Sequence, residues 1–268
     1  TGVQTCALPI WPLLLSWFAE LSPGRSPHRL YALSNAGSLL ALLSYPFVIE
    51  PLLPLSQQTR LWQFVFLVFS ACCSGVLLTG LSSVVSEFDS GRAAKVQGLG
   101  AVAGITWSQR GVWFGLSCLA TVLLLAETAQ ICQDVAVVPF LWVIPLALYL
   151  LSFILCFDSP YWYNRTVFAV LLILGCPVVC GVLTDGADAG LVMQIVVFSA
   201  VLFAACMCCH GELYGLRPAP RWLTLYFVVI SAGGAIGGLF VALGAPRWFM
   251  GYYEYHTGLA LVAAAVFL

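Results

Sequence analysis

Long apolar runs alternate with short polar connectors along most of the chain. Each run approaches the ~20 residues that an α-helix needs to cross the hydrocarbon core of a bilayer. None shows the period-two alternation of a membrane-spanning β-strand, so we expect helices. The pattern predicts seven full spans, at residues 30–49, 61–81, 111–132, 139–156, 167–183, 191–209 and 222–243. Partial spans are expected at residues 11–21 and 257–268.

The composition favours the same class of protein. Hydrophobic residues make up 62% of the chain and charged residues 8%, which is far from the average of a water-soluble domain. We therefore expect an all-α fold, a polytopic transmembrane helix bundle with the lipid bilayer as its partner. Pro139, Pro145 and Pro177 predict kinks or a broken helix within these spans. A net charge of −1 leaves no basic face, which argues against nucleic acid as a partner.

Lysine and arginine residues are divided unequally between the two alternating sets of connectors. One set carries eight of them and the other carries two, Arg60 and Arg247. Because positive residues are enriched on the cytoplasmic side, connectors 82–110 and 210–221 should be cytoplasmic and connectors 184–190 and 245–256 should not. The aromatic residues expected to form belts at the membrane surfaces are Tyr161, Trp162, Tyr163, Trp248, Tyr252, Tyr253 and Tyr255.

Both ends of the sequence are unusual. Residues 1–10, TGVQTCALPI, lack an initiator Met and resemble a translated sequencing adapter, so we interpret them as a library scar. The last residues stop within an apolar run that has no polar flank. We therefore expect residues 11–268 to be a transmembrane domain that is truncated at both ends and continues beyond Leu268.

Six acidic residues fall on the side opposite the basic connectors, and two of them stand out. An ionised carboxylate at the bilayer centre costs about 2.5 to 3.5 kcal/mol, so acids within spans usually face a bundle interior or a cavity. Glu127 and Asp134 lie at the end of the third span, in AETAQICQD, and we predict them as candidate cation-facing or substrate-facing residues. For Asp134, an ordinary helix-end charge is an equal alternative. The other four acids, interpreted as ordinary helix-end or connector charges, are Glu50, Asp185, Asp188 and Glu254.

The most polar run in the last third of the chain is CHGELYGLRPAP, residues 209–220. Its two prolines restrict the backbone, which predicts a rigid connector. Arg217 is explained by charge bias alone, whereas His210 and Glu212 are not. We hypothesise that His210, Glu212 and Arg217 make a fixed polar contact. It would be either a structural clasp to connector 82–110 or a docking site for a domain that follows.

Small residues within the spans are interpreted as packing residues. Gly233, Gly234, Gly237 and Gly238, in GGAIGG, form two overlapping small-xxx-small pairs that allow close approach of two helices. The cysteines of CMCCH, residues 206–210, lie beside a histidine but lack the paired spacing of zinc sites. We therefore predict neither a metal nor a cofactor.

Three long motifs carry a family resemblance. They are YALSNAGSLLALLSYPFVIEPLL (31–53), DVAVVPFLWVIPLALYLLSF (134–153) and HGELYGLRPAPRWLTLYFVVISAGGAIGGLF (210–240). In this order they resemble the membrane half of bacterial fused spermidine-synthase-like proteins, in which a major-facilitator-like domain precedes a cytoplasmic aminopropyltransferase-like domain. The resemblance implies a multi-pass protein of the bacterial inner membrane. It also implies polyamine as a possible ligand.

Two functions of different class are open at this point. The resemblance implies a membrane domain that anchors a downstream aminopropyltransferase-like domain and could supply it with polyamine. The alternative is an independent transporter or permease component for a small solute. Since the doubly wound α/β pattern of a transferase is absent from these residues, we expect no catalytic residue here.

Overall fold

The computed structural model describes residues 28–89, 104–132, 141–219, 222–249 and 253–267. No β-strand occurs within these ranges, which confirms the prediction of an all-α fold. The longer helices of the described ranges are α1 (His28–Ser44), α2 (Leu55–Asp89), α3 (Trp107–Gln130), α4 (Val143–Asp158), α5 (Arg165–Asp185), α6 (Leu191–Gly215), α7 (Leu223–Leu239) and α8 (Tyr253–Phe267).

Several of these helices have the length and composition of membrane spans. Within the described residues, five helical segments are long and apolar enough to cross a bilayer: Tyr31–Leu52, Trp107–Gln130, Arg165–Asp185, Leu191–Gly215 and Leu223–Trp248. Helix α4 is equally apolar but has only 16 residues. Such helices are typical of a membrane protein.

The chain divides into two compact units, and the smaller one comprises Ser44–Ile105. Its main element is the 35-residue helix α2. A π-helical turn at Tyr45–Ile49 precedes α2, and the Tyr45 hydroxyl donates to Gln58 Oε1 at 3.4 Å. Gln58 Nε2 donates in turn to the Leu53 carbonyl at 2.8 Å. These two bonds connect the π-helical turn to the first turns of α2.

The larger unit is organised around α6, which packs against α3, α4 and α5. Half of the apolar window of α3 and of α6 is buried inside the fold, against 22% for α5 and for Leu223–Trp248. Because the apolar residues of α5 and α7 are mostly exposed, those helices present the lipid-compatible surface of this unit.

Polar residues set where α3 and α5 begin. The Thr106 hydroxyl accepts the Gln109 backbone N–H at 3.3 Å, and Gln109 Oε1 accepts the Thr106 N–H at 3.2 Å. This is a capping box, and it satisfies two donors at the first turn of α3. Asn164 Oδ1 accepts the Val167 N–H at 3.2 Å and caps α5 directly before Arg165.

Helices α3 and α7 form the most extensive helix pair in the larger unit. A Cβ built on Gly233 would lie 2.4 Å from the Phe114 carbonyl oxygen, and one built on Gly237 would lie 2.6 Å from the Cys118 carbonyl oxygen. These contacts are to backbone, which cannot rotate away. Only glycine fits at either position, because the two helix backbones touch there.

The second glycine pair of GGAIGG has more room. A Cβ on Gly234 would lie 3.3 Å from Thr121 Oγ1, and one on Gly238 would lie 3.7 Å from its nearest neighbour, both of them side-chain atoms. Next to these positions, the Ser117 hydroxyl donates to the Ile230 carbonyl at 2.7 Å. The four glycines therefore divide into a backbone-contact pair and a looser pair.

Three sequence predictions differ from the observed backbone. Residues 82–89 continue α2 and are not part of a connector. His210 and Glu212 lie within α6, which runs to Gly215, and the side chains of both contact neighbouring segments. Of the kink or break predicted at Pro177, the break does not occur, because α5 continues through this residue, as is common in membrane-type helices.

Candidate functional site

Glu127 is a carboxyl group in the interior of the larger unit. It lies on α3 and is 0% exposed. Tyr255 of α8, also fully buried, donates its hydroxyl proton to Glu127 Oε2 at 3.3 Å. The other oxygen, Oε1, is buried and accepts no hydrogen bond from any described residue. An acid with an unsatisfied oxygen in a membrane-type core is costly, and such residues are usually functional.

Close approach of α8 to α3 brings Tyr255 to Glu127. A Cβ on Gly258 would lie 2.8 Å from a Leu123 methyl group, so glycine at this position lets the two helices meet. Phe198 of α6 meets the Tyr255 ring edge-on, with the ring centroids 6.0 Å apart. The prediction that Tyr255 belongs to a surface belt is therefore wrong.

Glu254 and Asp134 are two more of the six acidic residues predicted to lie opposite the basic connectors. Glu254 is 6% exposed and lies at a helix end, which is one of the two places expected for an ordinary charge. It lies in the first turn of α8, where a negative charge interacts favourably with the helix dipole. Asp134 lies outside the described residues, and its role as a cation-facing residue stays a prediction.

His210 is turned into the core rather than toward a connector. It is 0% exposed, and its Nδ1 lies 2.9 Å from the Ser152 hydroxyl of α4. Its ring meets Tyr149 edge-on at a centroid distance of 4.9 Å and lies 4.5 Å from the Phe153 ring centroid. His210 therefore joins α6 to α4 through one hydrogen bond and two aromatic contacts.

The residues after His210 hold the connector between α4 and α5. The Tyr163 ring lies against the α6 backbone at Gly211, where a Cβ would be 2.4 Å from the ring carbons. The Tyr163 hydroxyl donates to Glu212 Oε1 at 2.8 Å, and Arg165 Nε lies 3.3 Å from the same oxygen. Burial, and then the hydrogen bond to Glu212, raise the pKa of Tyr163 above its ordinary value, so its hydroxyl remains a donor at neutral pH.

Arg217 has contacts that are local to the end of α6. Its Nη1 donates to the Tyr214 carbonyl at 2.8 Å, and its guanidinium carbon lies 3.9 Å from the centroid of the Tyr214 ring. The structure therefore does not bring His210, Glu212 and Arg217 into one shared contact. Residues 90–103 of the expected partner connector lie outside the described residues.

Side chains from two other helices complete the end of α6. The Tyr226 hydroxyl of α7 donates to the Leu213 carbonyl at 2.7 Å, and Trp113 Nε1 of α3 donates to the Leu216 carbonyl at 3.1 Å. Carbonyl groups at a helix C-terminus have no partner within their own helix, so these donors satisfy groups that would be costly to bury. The end of α6 is thus attached to α3, α7 and the α4–α5 connector.

Basic residues predicted to share one side of the membrane lie at one end of the larger unit. Arg165 contacts Glu212 near the end of α6, where Arg217 also lies. At the start of α1, Arg29 Nε lies 3.8 Å from Asp158 Oδ1 at the end of α4. The cytoplasmic location of this end stays a prediction.

Two cavities flank Glu212, which lines both of them. A cavity of about 300 Å³ opens toward Tyr163, Tyr214 and Arg217. A larger one of about 470 Å³ has the Arg165–Glu212 pair at one end and an otherwise apolar wall, formed by Val112, Gly115, Leu116, Leu119, Leu216 and Ala265.

The cysteines next to His210 do not form part of a metal-ligand cluster. Cys206, Cys208 and Cys209 are buried along α6. No group of three His, Cys, Asp or Glu side chains in the described ranges is placed to hold a metal ion. The thiols fill space between α6 and its neighbours, as small apolar side chains do.

No family model, curated protein or solved structure matches this chain. Function is therefore inferred from the side chains themselves. The two arrangements available are the buried Glu127–Tyr255 pair inside the larger unit and the polar contacts at the end of α6.

Proposed function

We propose that this chain is the membrane-embedded domain of a spermidine-synthase-like fused protein of the bacterial inner membrane. It anchors a cytoplasmic aminopropyltransferase-like domain and supplies it with polyamine. The apolar run of α2 and the 16-residue helix α4 would join the five longer apolar segments to make seven spans. A helix of that length extends about 24 Å, which is about 6 Å less than the hydrocarbon core, and local thinning of the bilayer accommodates a mismatch of this size.

The observation that carries the proposal is the buried carboxyl group of Glu127. Its Oε2 accepts one hydrogen bond from Tyr255, and its Oε1 accepts none from the described residues. An ammonium group provides both the charge and the donors that such an oxygen lacks. The Tyr255 hydroxyl, in turn, has an aromatic neighbour, because the Phe198 ring packs edge-on against the Tyr255 ring at a centroid distance of 6.0 Å.

The end of α6 suits the anchoring role. Its carbonyls are bound by Tyr226 and Trp113, and Glu212 is bound by Tyr163. These three contacts hold the end of the helix in a fixed position in the bundle. We therefore infer that His210 and Glu212 act as a structural clasp, with Arg217 fixing the last turn locally.

An independent transporter remains the second candidate, because a buried acid such as Glu127 suits a transported solute as well as a polyamine handed to an enzyme. Reading the gene beyond Leu268 separates the two candidates. A glycine-rich strand–loop–helix followed by acidic residues supports the fused protein. Further spans, or a stop codon, support the transporter.

Glu127→Gln should weaken polyamine binding by at least about tenfold, because the amide keeps the shape of the side chain but loses the charge that pairs with ammonium. The measurement is equilibrium binding of labelled spermidine to the purified protein in detergent. Glu50→Gln is the matched control, since Glu50 is an exposed acid from the same predicted side. Equal binding by wild type and Glu127→Gln, with both proteins monodisperse, would exclude Glu127 as the cation site.

The charge distribution also predicts which connectors an impermeant reagent can reach. In a variant without native cysteines, Asp188→Cys should react with a thiol reagent added to intact cells, and Tyr161→Cys should react only after permeabilisation. Both side chains are exposed, so a difference in labelling cannot come from burial of one of them within the fold. Labelling of Tyr161→Cys in intact cells would reverse the proposed orientation.

A further inference from the structure

The cavity of about 470 Å³ beside Glu212 has a lining of which the proposed function uses Glu212 alone. One end carries a basic and an acidic side chain, Arg165 and Glu212, with Arg165 Nε 3.3 Å from Glu212 Oε1. The α3 wall runs from Val112 to Leu119, which is about 10 Å of helix. The cavity therefore has a zwitterionic end and an apolar body.

Aromatic side chains indicate the depth of the Arg165–Glu212 pair in a bilayer. Tyr161 is 88% exposed and Trp162 51%, and both directly precede the segment that carries Arg165. On α3, Trp107 is 82% exposed, with the Arg110 guanidinium carbon 4.6 Å from its ring centroid. Exposed Trp and Tyr residues occupy the level of lipid headgroups. The charged pair then lies at headgroup level, and the apolar wall extends toward the acyl chains.

Glu212 retains an oxygen for a ligand. Both of its contacts, from the Tyr163 hydroxyl and from Arg165 Nε, use Oε1. Oε2 accepts no hydrogen bond from the side chains described here. Half of the Arg165 side chain is exposed, and a guanidinium carries five N–H donors, so one contact with Glu212 does not exhaust them. A headgroup with a phosphate and a primary ammonium would complement both partners, because each charge meets its opposite.

We propose that this cavity is a binding site for one phospholipid with a phosphoethanolamine headgroup. The phosphate pairs with Arg165, the ammonium group donates to Glu212 Oε2, and one acyl chain lies along α3 past Gly115. A quaternary choline headgroup has no N–H to donate to Glu212, and a glycerol headgroup has no cation. The headgroup arrangement therefore selects phosphatidylethanolamine over phosphatidylcholine and phosphatidylglycerol.

The test is native mass spectrometry of the purified chain titrated with each of these three lipids. Wild type should bind phosphatidylethanolamine about tenfold more tightly than either other lipid, as expected for one additional charge-assisted hydrogen bond. Glu212→Gln should abolish that preference while its amide oxygen still accepts the Tyr163 hydroxyl. Equal affinity of the wild type for all three lipids would overturn the proposal.

A second pair of variants tests the cavity without touching its charged end. Gly115→Leu fills the apolar wall, and a Cβ at Gly115 meets no atom within 4 Å, so the variant should fold. Gly111→Leu is the matched control one turn earlier, where a Cβ also meets nothing within 4 Å. Phosphatidylethanolamine binding should fall about tenfold in Gly115→Leu and stay unchanged in Gly111→Leu. Wild-type binding by Gly115→Leu, or an equal loss in both variants, would place the lipid elsewhere.

Discussion

Replacing both Gly233 and Gly237 with alanine is expected to separate α7 from α3 and to unfold the larger helical unit at much milder conditions than wild type. The new methyl groups would lie 2.4 Å and 2.6 Å from the carbonyl oxygens of Phe114 and Cys118. Backbone atoms cannot move aside without shifting a whole helix. We expect each substitution to cost about 1 to 3 kcal/mol, the usual range for overpacking.

The matched control is alanine at the neighbouring glycine that has room. A Cβ at Gly238 lies 3.7 Å from its nearest neighbour, which is ordinary contact, so Gly238→Ala should leave stability unchanged or raise it slightly. The stabilities of the double variant and of Gly238→Ala can be compared by the loss of helical circular dichroism on heating, or during titration with a denaturing detergent. If the double variant Gly233→Ala/Gly237→Ala unfolds at the same temperature as Gly238→Ala, then α3 and α7 do not meet at this backbone contact.

Gly211→Ala is expected to detach the α4–α5 connector from α6. The added methyl group would lie 2.4 Å from the Tyr163 ring, so the ring must move and the hydrogen bond to Glu212 at 2.8 Å is lost. Loss of this hydrogen bond and of the ring packing together should cost about 1 to 3 kcal/mol of stability. In a helix, alanine is normally more stable than glycine by about 1 kcal/mol. The loss of stability that we predict for Gly211→Ala is therefore opposite to the effect expected from helix propensity alone.

Gly215→Ala is the control for this second prediction. It lies one turn later on α6, and a Cβ there meets nothing within 4 Å, so alanine should be neutral or mildly stabilising. A double-mutant cycle with Tyr163→Ala adds specificity, because Gly211→Ala should cost little once the ring is absent. Additive effects of Gly211→Ala and Tyr163→Ala would show that the two residues do not contact one another.

Local features of the sequence were enough to predict the helices. The apolar runs had the right length, although the Thr106–Gln109 capping box starts α3 at Trp107, within the predicted connector 82–110. The glycines of GGAIGG were recognisable as packing residues because their spacing places them on one helix face. These signals are local, since helix periodicity and capping depend on residues within one or two turns.

Residue partners could not be predicted in the same way. Tyr255 lies 128 residues from Glu127, and Ser152 lies 58 residues from His210. Tyr163 was interpreted as part of an aromatic belt because it follows Tyr161 and Trp162, yet its ring packs against Gly211. No spacing rule distinguishes a tyrosine that faces lipid from one that reaches a distant acid.

The sequence by itself determined that this chain is helical and apolar enough for a membrane, because hydrophobic length and composition decide that property one segment at a time. The tertiary structure decided which helices meet, and so which polar groups become a site. Lipid tails are as apolar as the side chains, so the hydrophobic effect does not determine which helices pack against each other in a membrane. The choice depends on shape and hydrogen bonds between distant segments, as in the contacts of Gly233 with Phe114 and of Glu212 with Tyr163.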